Sequence, residues 1–188
     1  TCLVGNGLFT LLGLCVGLVA SNQDFMLKGF NFTKFSGVWY EIAFTSMMDV
    51  YDSPHKVEKM GGMVVKIEGD LLALTITYYN GSHCVLEKVT ASQGEFPEKF
   101  KVITAAGNKD VVIVDTDYKT YTIMDITFLV SGVVQKAMKL YTRKLYRNEE
   151  VLKKFHKVAL EHGYSMSDIQ QPKDDCEWAL PWGSVLNS

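Results

Sequence analysis

The chain has 188 residues, of which 47% are hydrophobic and 21% are charged. This composition is unlike that of a disordered chain, and the length suits one domain with a sizeable core. Its 19 Lys and Arg residues nearly balance 21 Asp and Glu residues and leave a net charge of −2, so we expect no nucleic-acid partner.

An uncharged apolar leader precedes Asp24, the first charged residue. Its apolar core covers residues 8–20, which is shorter than the roughly 20 residues that a membrane-spanning helix needs. The small residues Ala20 and Ser21 offer a cleavage point. We therefore expect a signal peptide over residues 1–21, one domain over residues 22–188, and a secreted, extracellular protein that does not span a membrane. An uncleaved anchor is the alternative.

Two of the four cysteines, Cys84 and Cys176, lie beyond the leader. An even pair in a secreted protein predicts a disulfide bond. Asn31 and Asn80 each begin an acceptor sequon, so both are candidate glycosylation sites.

Short β-branched and aromatic runs separated by turn residues, with no helical period, predict an antiparallel meander. Gly61 and Gly62 mark a bend or bulge in the second strand, and Asn80-Gly81 marks a hairpin. The predicted strands cover residues 38–48, 57–68, 71–79, 83–91, 98–104, 109–115, 118–128 and 133–145. Eight antiparallel strands favour a mainly β fold, an up-and-down β-barrel that closes around one small ligand.

Beyond the last strand the apolar period becomes helical. Asn148 supplies an N-cap, and Gly163 ends the pattern. We expect one C-terminal α-helix packed outside the barrel. Residues 172–188 form a tail that we expect to be partly disordered, in which Trp178 and Trp182 are an alternative interaction site.

Three separated motifs, in this order, resemble the signatures of the lipocalin family. The first opens strand one, the second precedes strand seven, and the third lies in strand eight; the matching residues are Gly37, Trp39, Tyr40, Thr116, Asp117, Tyr118 and Arg143. The resemblance implies that Arg143 lies across Trp39 at the closed end of the barrel, in a cation–π contact. Cys84 and Cys176 also resemble the bridge that joins strand four to the tail in that family.

The chain resembles most the epididymal retinoic acid-binding branch of the family, through residues 39–44, 72–74, 84–91 and 138–141. This resemblance implies a carrier of retinoic acid or a similar lipid acid in the epididymal lumen, with a role in sperm maturation. The alternatives are a carrier of odorants, steroids or fatty acids, and a protein that acts mainly at the sperm surface or on a cell-surface receptor. The bound lipid would be cargo, and we expect no cofactor.

The alternation of strand residues predicts which side chains face the barrel interior. Arg143 must point inward to reach Trp39, so Tyr141 and Lys139 point inward too. An inward Lys is costly unless it meets an anion or water, so we hypothesise that Lys139, near the open half, pairs with a ligand carboxylate. A bulge that turns Lys139 to solvent is the alternative, as is a barrel packed solid. The predicted cavity residues are Leu72, Leu74, Ile76, Tyr78, Val89, Met124, Lys139 and Tyr141.

A loop rich in apolar residues follows strand one. Its residues Met47, Met48 and Tyr51 suit a lid over variable apolar ligands, and local packing under the loop is the alternative. Catalytic motifs and His spacing typical of a metal site are lacking, so we expect neither an enzyme nor a metal centre.

Overall fold

The computed structural model describes residues 29–47, 60–79, 82–104, 107–145 and 148–171. Within them the chain forms eight strands and two α-helices. The strands are β1 (Gly37–Ser46), β2 (Met60–Glu68), β3 (Leu71–Tyr79), β4 (Cys84–Gln93), β5 (Lys99–Thr104), β6 (Gly107–Thr116), β7 (Tyr121–Val130) and β8 (Val133–Thr142). The helices are α1 (Phe32–Phe35) and α2 (Glu149–Glu161), and a 3-10 turn covers Met166–Asp168.

The strands form a closed barrel in sequence order, with β1 paired to β8. All of the pairs are antiparallel, which confirms the predicted up-and-down barrel. The register shifts between Met60 and Gly62 on β2, at the glycine pair that predicted a bulge. Two further shifts, between Glu41 and Ala43 and between Ile113 and Asp115, have no comparable glycine signal.

Strand seven begins at Tyr121, three residues later than predicted. The reason is local, because Asp117 accepts three backbone hydrogen bonds and Tyr118 has a left-handed backbone with φ 64°. A residue in that conformation belongs to a turn rather than a strand. Strand eight ends at Thr142, before the predicted residue 145, because the chain bends over residues 143–145, where the Thr142 hydroxyl donates to the Lys144 carbonyl.

Helix α2 packs on the outside of the barrel, as predicted. The Asn148 side chain accepts hydrogen bonds from two first-turn amides, and Gly163 follows the helix with φ 84°. The helix buries Val151, Leu152, Phe155 and Ala159. They join outward-facing strand residues in one core cluster, which includes Tyr40, Ile42, Val64, Val114, Ile123, Met138 and Leu140.

Beyond α2 the chain returns to the barrel. Phe44 of β1 and Gln170 exchange two backbone hydrogen bonds of 2.8 and 2.7 Å. These bonds satisfy polar groups on β1 beyond Tyr40, the last residue that pairs with β2 in the described part of the chain. Neither this contact nor α1 was expected from the sequence. Of the helices that the structure describes, none has the length and apolar character needed to cross a membrane.

Candidate ligand-binding site

One end of the barrel, where β1 begins, is closed by Arg143 and Trp39. The Arg143 guanidinium carbon lies 3.6 Å from the Trp39 ring centroid, which confirms the predicted cation–π contact. Arg143 also donates to four carbonyl oxygens at 2.8–3.3 Å, those of Lys34, Phe35, Val38 and Tyr118. Burial lowers the pKa of Arg143 to about 10, and the charge of Asp117 opposes that shift.

The contacts of Arg143 leave room for no residue other than glycine at position 37. The φ of Gly37 is 101°, and a Cβ there would lie 3.1 Å from Nη1 of Arg143. Glycine is therefore required both by the backbone conformation and by the close approach of the guanidinium.

The motif Thr116-Asp117-Tyr118 forms the turn that positions Arg143. Asp117 Oδ1 accepts from the backbone N–H groups of Lys119, Thr120 and Tyr121 at 2.7–3.0 Å. Desolvation raises the pKa of Asp117, but these backbone donors outweigh it and leave the pKa below the usual value. The signature residues at this end therefore have a structural role.

An aromatic cluster fills the barrel just inside the closed end. It comprises Phe30, Phe32, Phe35, Trp39, Phe100 and Tyr118, with most neighbouring ring centroids 5.0–5.7 Å apart. The Trp39 indole N–H donates to the Phe35 carbonyl at 2.8 Å. Sequence reasoning missed the part that α1 contributes, since four residues give too short a pattern to recognise.

The predicted cavity residues mostly face the interior. Leu72, Leu74, Val89, Met124 and Tyr141 are buried in one continuous interior cluster, against which Ile76 packs half-buried. Tyr78 shares their strand face and is half-buried as well. The cluster also contains residues that were not predicted to line a cavity, among them Met63, Val65, Val102, Val111 and Ile126.

Lys139 points into the barrel, and the alternative in which Met138 and Leu140 face inward is wrong. Met138 and Leu140 instead belong to the outer cluster beneath α2. Lys139 pairs in register with Phe44 and Met124, so it lies about midway along the barrel and not at its rim. Its side chain is only 7% exposed.

Lys139 has a counter-ion that sequence reasoning missed. Its Nζ lies 3.2 Å from Oε2 of Glu41, whose side chain is fully buried. Burial raises the pKa of Tyr141 well above its usual range, and the charge and hydrogen bond of Glu41 raise it further. The interior therefore holds a compact polar trio of Glu41, Lys139 and Tyr141. A signal was present, since Glu41 lies two residues beyond Trp39 on the same strand face.

A second lysine faces inward nearer the other end of the barrel, which we call the mouth and define by Ser46, Tyr79, Thr104 and Val130. Lys109 precedes the interior residues Val111 and Ile113 at alternate positions on β6. Its Nζ lies 5.8 Å from the centroid of the Phe128 ring, and its side chain is exposed.

Several predictions fall outside the described residues: the signal peptide, lid residues Met48 and Tyr51, sequon Asn80, Cys176 and the tail with Trp178 and Trp182. Met47 is exposed, and its N–H bonds the Lys136 carbonyl.

Cys84 is disulfide-bonded, which agrees with the predicted bridge, while its pairing with Cys176 stays a prediction. Asn31 is exposed and caps α1, so its occupancy as a sequon also stays a prediction. Among the described residues, no three His, Cys, Asp or Glu side chains could together hold a metal ion.

Comparison with known proteins places this geometry in a family. The model of the lipocalin / cytosolic fatty-acid binding protein family matches residues 36–175, which include the whole barrel and α2. The chain belongs to the lipocalin family. Lipocalins are typically carriers of small hydrophobic ligands rather than enzymes.

Epididymal lipocalins are prominent among its relatives. The chain is 54% identical to the mouse epididymal-specific lipocalin-5 over 95% of its own length and 94% of that protein. The corresponding rat protein is 53% identical over 89% of each chain, and the human epididymal-specific lipocalin-8 is 27% identical over 58% and 59%. These identities confirm the resemblance to an epididymal branch.

A solved structure supports the fold alone. The siderocalin Ex-FABP, described as functioning through dual ligand specificities, superposes with a TM-score of 0.63 at 24% identity. The match covers 76% of this lipocalin and 93% of that chain.

Proposed function

We propose that this lipocalin is a secreted carrier that binds a small hydrophobic acid inside the barrel, with retinoic acid the first candidate. The observation that carries the proposal is the polar trio of Glu41, Lys139 and Tyr141 beside the apolar side chains of the interior cluster. Apolar burial supplies affinity at about 25 cal/mol per Å², and a few polar groups orient the ligand.

Lys139 is one candidate anchor for the carboxylate. An ammonium group has three donors, and one of them points at Glu41, so a ligand oxygen could accept another. Glu41 already balances the Lys139 charge, however, and would repel a second carboxylate. An acid that reaches Lys139 therefore gains less than it would from an uncompensated cation.

Lys109 is the other candidate anchor. Its position beside Phe128 near the mouth would let an elongated ligand place its apolar end among the interior residues and its carboxylate close to water. The desolvation cost of the ion pair is smaller at an exposed side chain than at a buried one.

Secretion and the epididymal setting are supported by the family and by the epididymal relatives. A role in sperm maturation is proposed on the same basis. The predicted leader and the disulfide-bonded Cys84 fit an extracellular, oxidising compartment.

The test is a titration of the purified protein with retinoic acid, retinol, a fatty acid and a steroid, followed by isothermal calorimetry. Ile76→Trp places a large side chain on an inward position of β3, whereas Leu86→Trp places the same side chain on an exposed, outward position of β4. We expect Ile76→Trp to abolish retinoic acid binding and Leu86→Trp to leave it unchanged. Binding of retinol or the steroid but of neither acid would replace the ligand assignment, and equal effects of both variants would exclude the interior as the site.

A further inference from the structure

The outer surface at the mouth carries exposed aliphatic side chains. Leu86, Ile103, Leu129 and Val134, on four different strands, are between 43% and 61% exposed. Leu129 and Val134 are direct register partners, and all four occupy outward-facing strand positions. A closed barrel needs no such residues for its own stability, since its core faces are already buried.

Two lysines lie in a row behind three of these aliphatic residues. On β5 and β8, the outward residue two positions nearer the closed end is an exposed lysine, which gives the pairs Ile103–Lys101 and Val134–Lys136. Lys88 is also exposed on the outward face of β4, but it lies nearer the mouth than Ile103, because Ile103 pairs in register with Thr90. Within the described part of the chain, the ion pairs found involve other lysines. The acidic residue at the same level is Asp110, the register partner of Lys101.

We propose that the mouth of the barrel docks on an anionic lipid surface through these aliphatic residues and the lysines beside them. Two residues along a strand span about 7 Å, which matches the roughly 5–10 Å that interfacial side chains enter the boundary between headgroups and acyl chains. The side chains of Ile103, Leu129 and Val134 therefore reach the acyl region, while the ammonium groups of Lys101 and Lys136 lie at the level of the lipid phosphates. Docked in this way, the barrel exchanges a hydrophobic ligand with the bilayer without passing it through water.

The test is flotation of the full chain with vesicles of phosphatidylcholine alone and of phosphatidylcholine mixed with phosphatidylserine. We expect binding to the mixed vesicles that weakens with added salt and falls at least about tenfold in the Leu129→Ser/Val134→Ser variant. Leu160→Ser, at an aliphatic residue of α2 that is 53% exposed, is the matched control and should bind as the wild type does.

Failure to bind either vesicle, or equal loss in the control, would overturn the proposal. A wild-type dimer that the double variant abolishes in sedimentation would also overturn it and assign the surface to a second copy. The affinity for retinoic acid measured without vesicles should be the same in all variants, because the altered side chains face outward. A variant that loses vesicle binding but keeps its retinoic acid affinity therefore tests membrane docking independently of the proposed ligand.

Discussion

Lys139 Nζ and Glu41 Oε2 lie 3.2 Å apart inside the barrel, between side chains that are almost fully excluded from solvent. A lysine that faces a binding site invites assignment as an anion receptor. Here the protein supplies the anion itself, so the charge of the pair is balanced before any ligand enters. The question for ligand selection is therefore whether an acid shares Lys139 with Glu41 or meets Lys109 nearer the mouth.

Because Lys139 and Glu41 form a buried ion pair, replacing one of them should change the free energy of unfolding differently from replacing both. We predict that Lys139→Met lowers the free energy of unfolding by about 3–5 kcal/mol, because it leaves the Glu41 carboxylate buried without its cation. Glu41→Gln/Lys139→Met removes both charges and should be clearly more stable than Lys139→Met alone. Urea unfolding checks both values, and a double variant no more stable than the single one would mean that the pair is not electrostatically coupled.

Glu41→Gln alone removes the competing carboxylate while keeping the shape of the side chain. If Lys139 anchors the ligand, this change should raise the affinity for retinoic acid and leave that for retinol nearly unchanged. If Lys109 is the anchor, Lys109→Met should weaken retinoic acid binding and Glu41→Gln should have little effect. Calorimetry on the two variants therefore decides between the lysines, and no response to either change would exclude both.

Arg143 is predicted to stabilise the closed end through its shape as much as its charge. Arg143→Lys keeps the charge but loses the planar stack on Trp39 and most of the four carbonyl contacts, at an expected cost of about 2–4 kcal/mol. Lys153→Gln, at an exposed position of α2, is the control and should change the urea midpoint little. An equally small effect of Arg143→Lys would contradict the closure described above.

Alanine substitutions at two glycines with positive φ distinguish the cost of a strained backbone from the cost of a steric contact. Gly37→Ala and Gly69→Ala both place a Cβ on a left-handed backbone, at about 1–3 kcal/mol. Only at Gly37 would that Cβ lie within 4 Å of another group, the Arg143 guanidinium. Thermal unfolding should therefore show Gly37→Ala to be the more destabilised of the two, and equal losses would remove the contact from the explanation.

Alkaline pH should weaken the fold through Tyr141. Its folded pKa is raised above the unfolded value of 10.0, so the folded state keeps a proton that the unfolded state loses. The corresponding stability is fully present below pH 10.0 and declines as the pH rises toward the folded pKa. Tyr141→Phe should make the free energy of unfolding decline less steeply above about pH 10, and an unchanged slope would argue against the shift.

The barrel and α2 could be predicted because their signals are local and repeated. Alternation along β3, the glycine pair before Met63 and the caps Asn148 and Gly163 each fix one element independently of its neighbours. The inward direction of Lys139 followed from one long-range assumption, the contact of Arg143 with Trp39. That contact is present, so the assignment of alternate β8 residues to the barrel interior was right.

The features that sequence reasoning missed depend on several strands at once. Glu41 becomes a counter-ion only when β1 and β8 pair in the observed register, with Glu41 opposite Tyr141. The start of β7 depends on side-chain capping by Asp117, which outweighs the β propensity of Tyr118.

We propose above that the barrel holds a hydrophobic acid whose carboxylate meets an inward-facing lysine. Retinoic acid and retinol share their apolar body and differ in the head group, so the ratio of their dissociation constants isolates that contact. We predict that the wild-type protein binds retinoic acid about tenfold more tightly than retinol at neutral pH. Equal affinities, tighter binding of retinol, or binding of neither compound would contradict it.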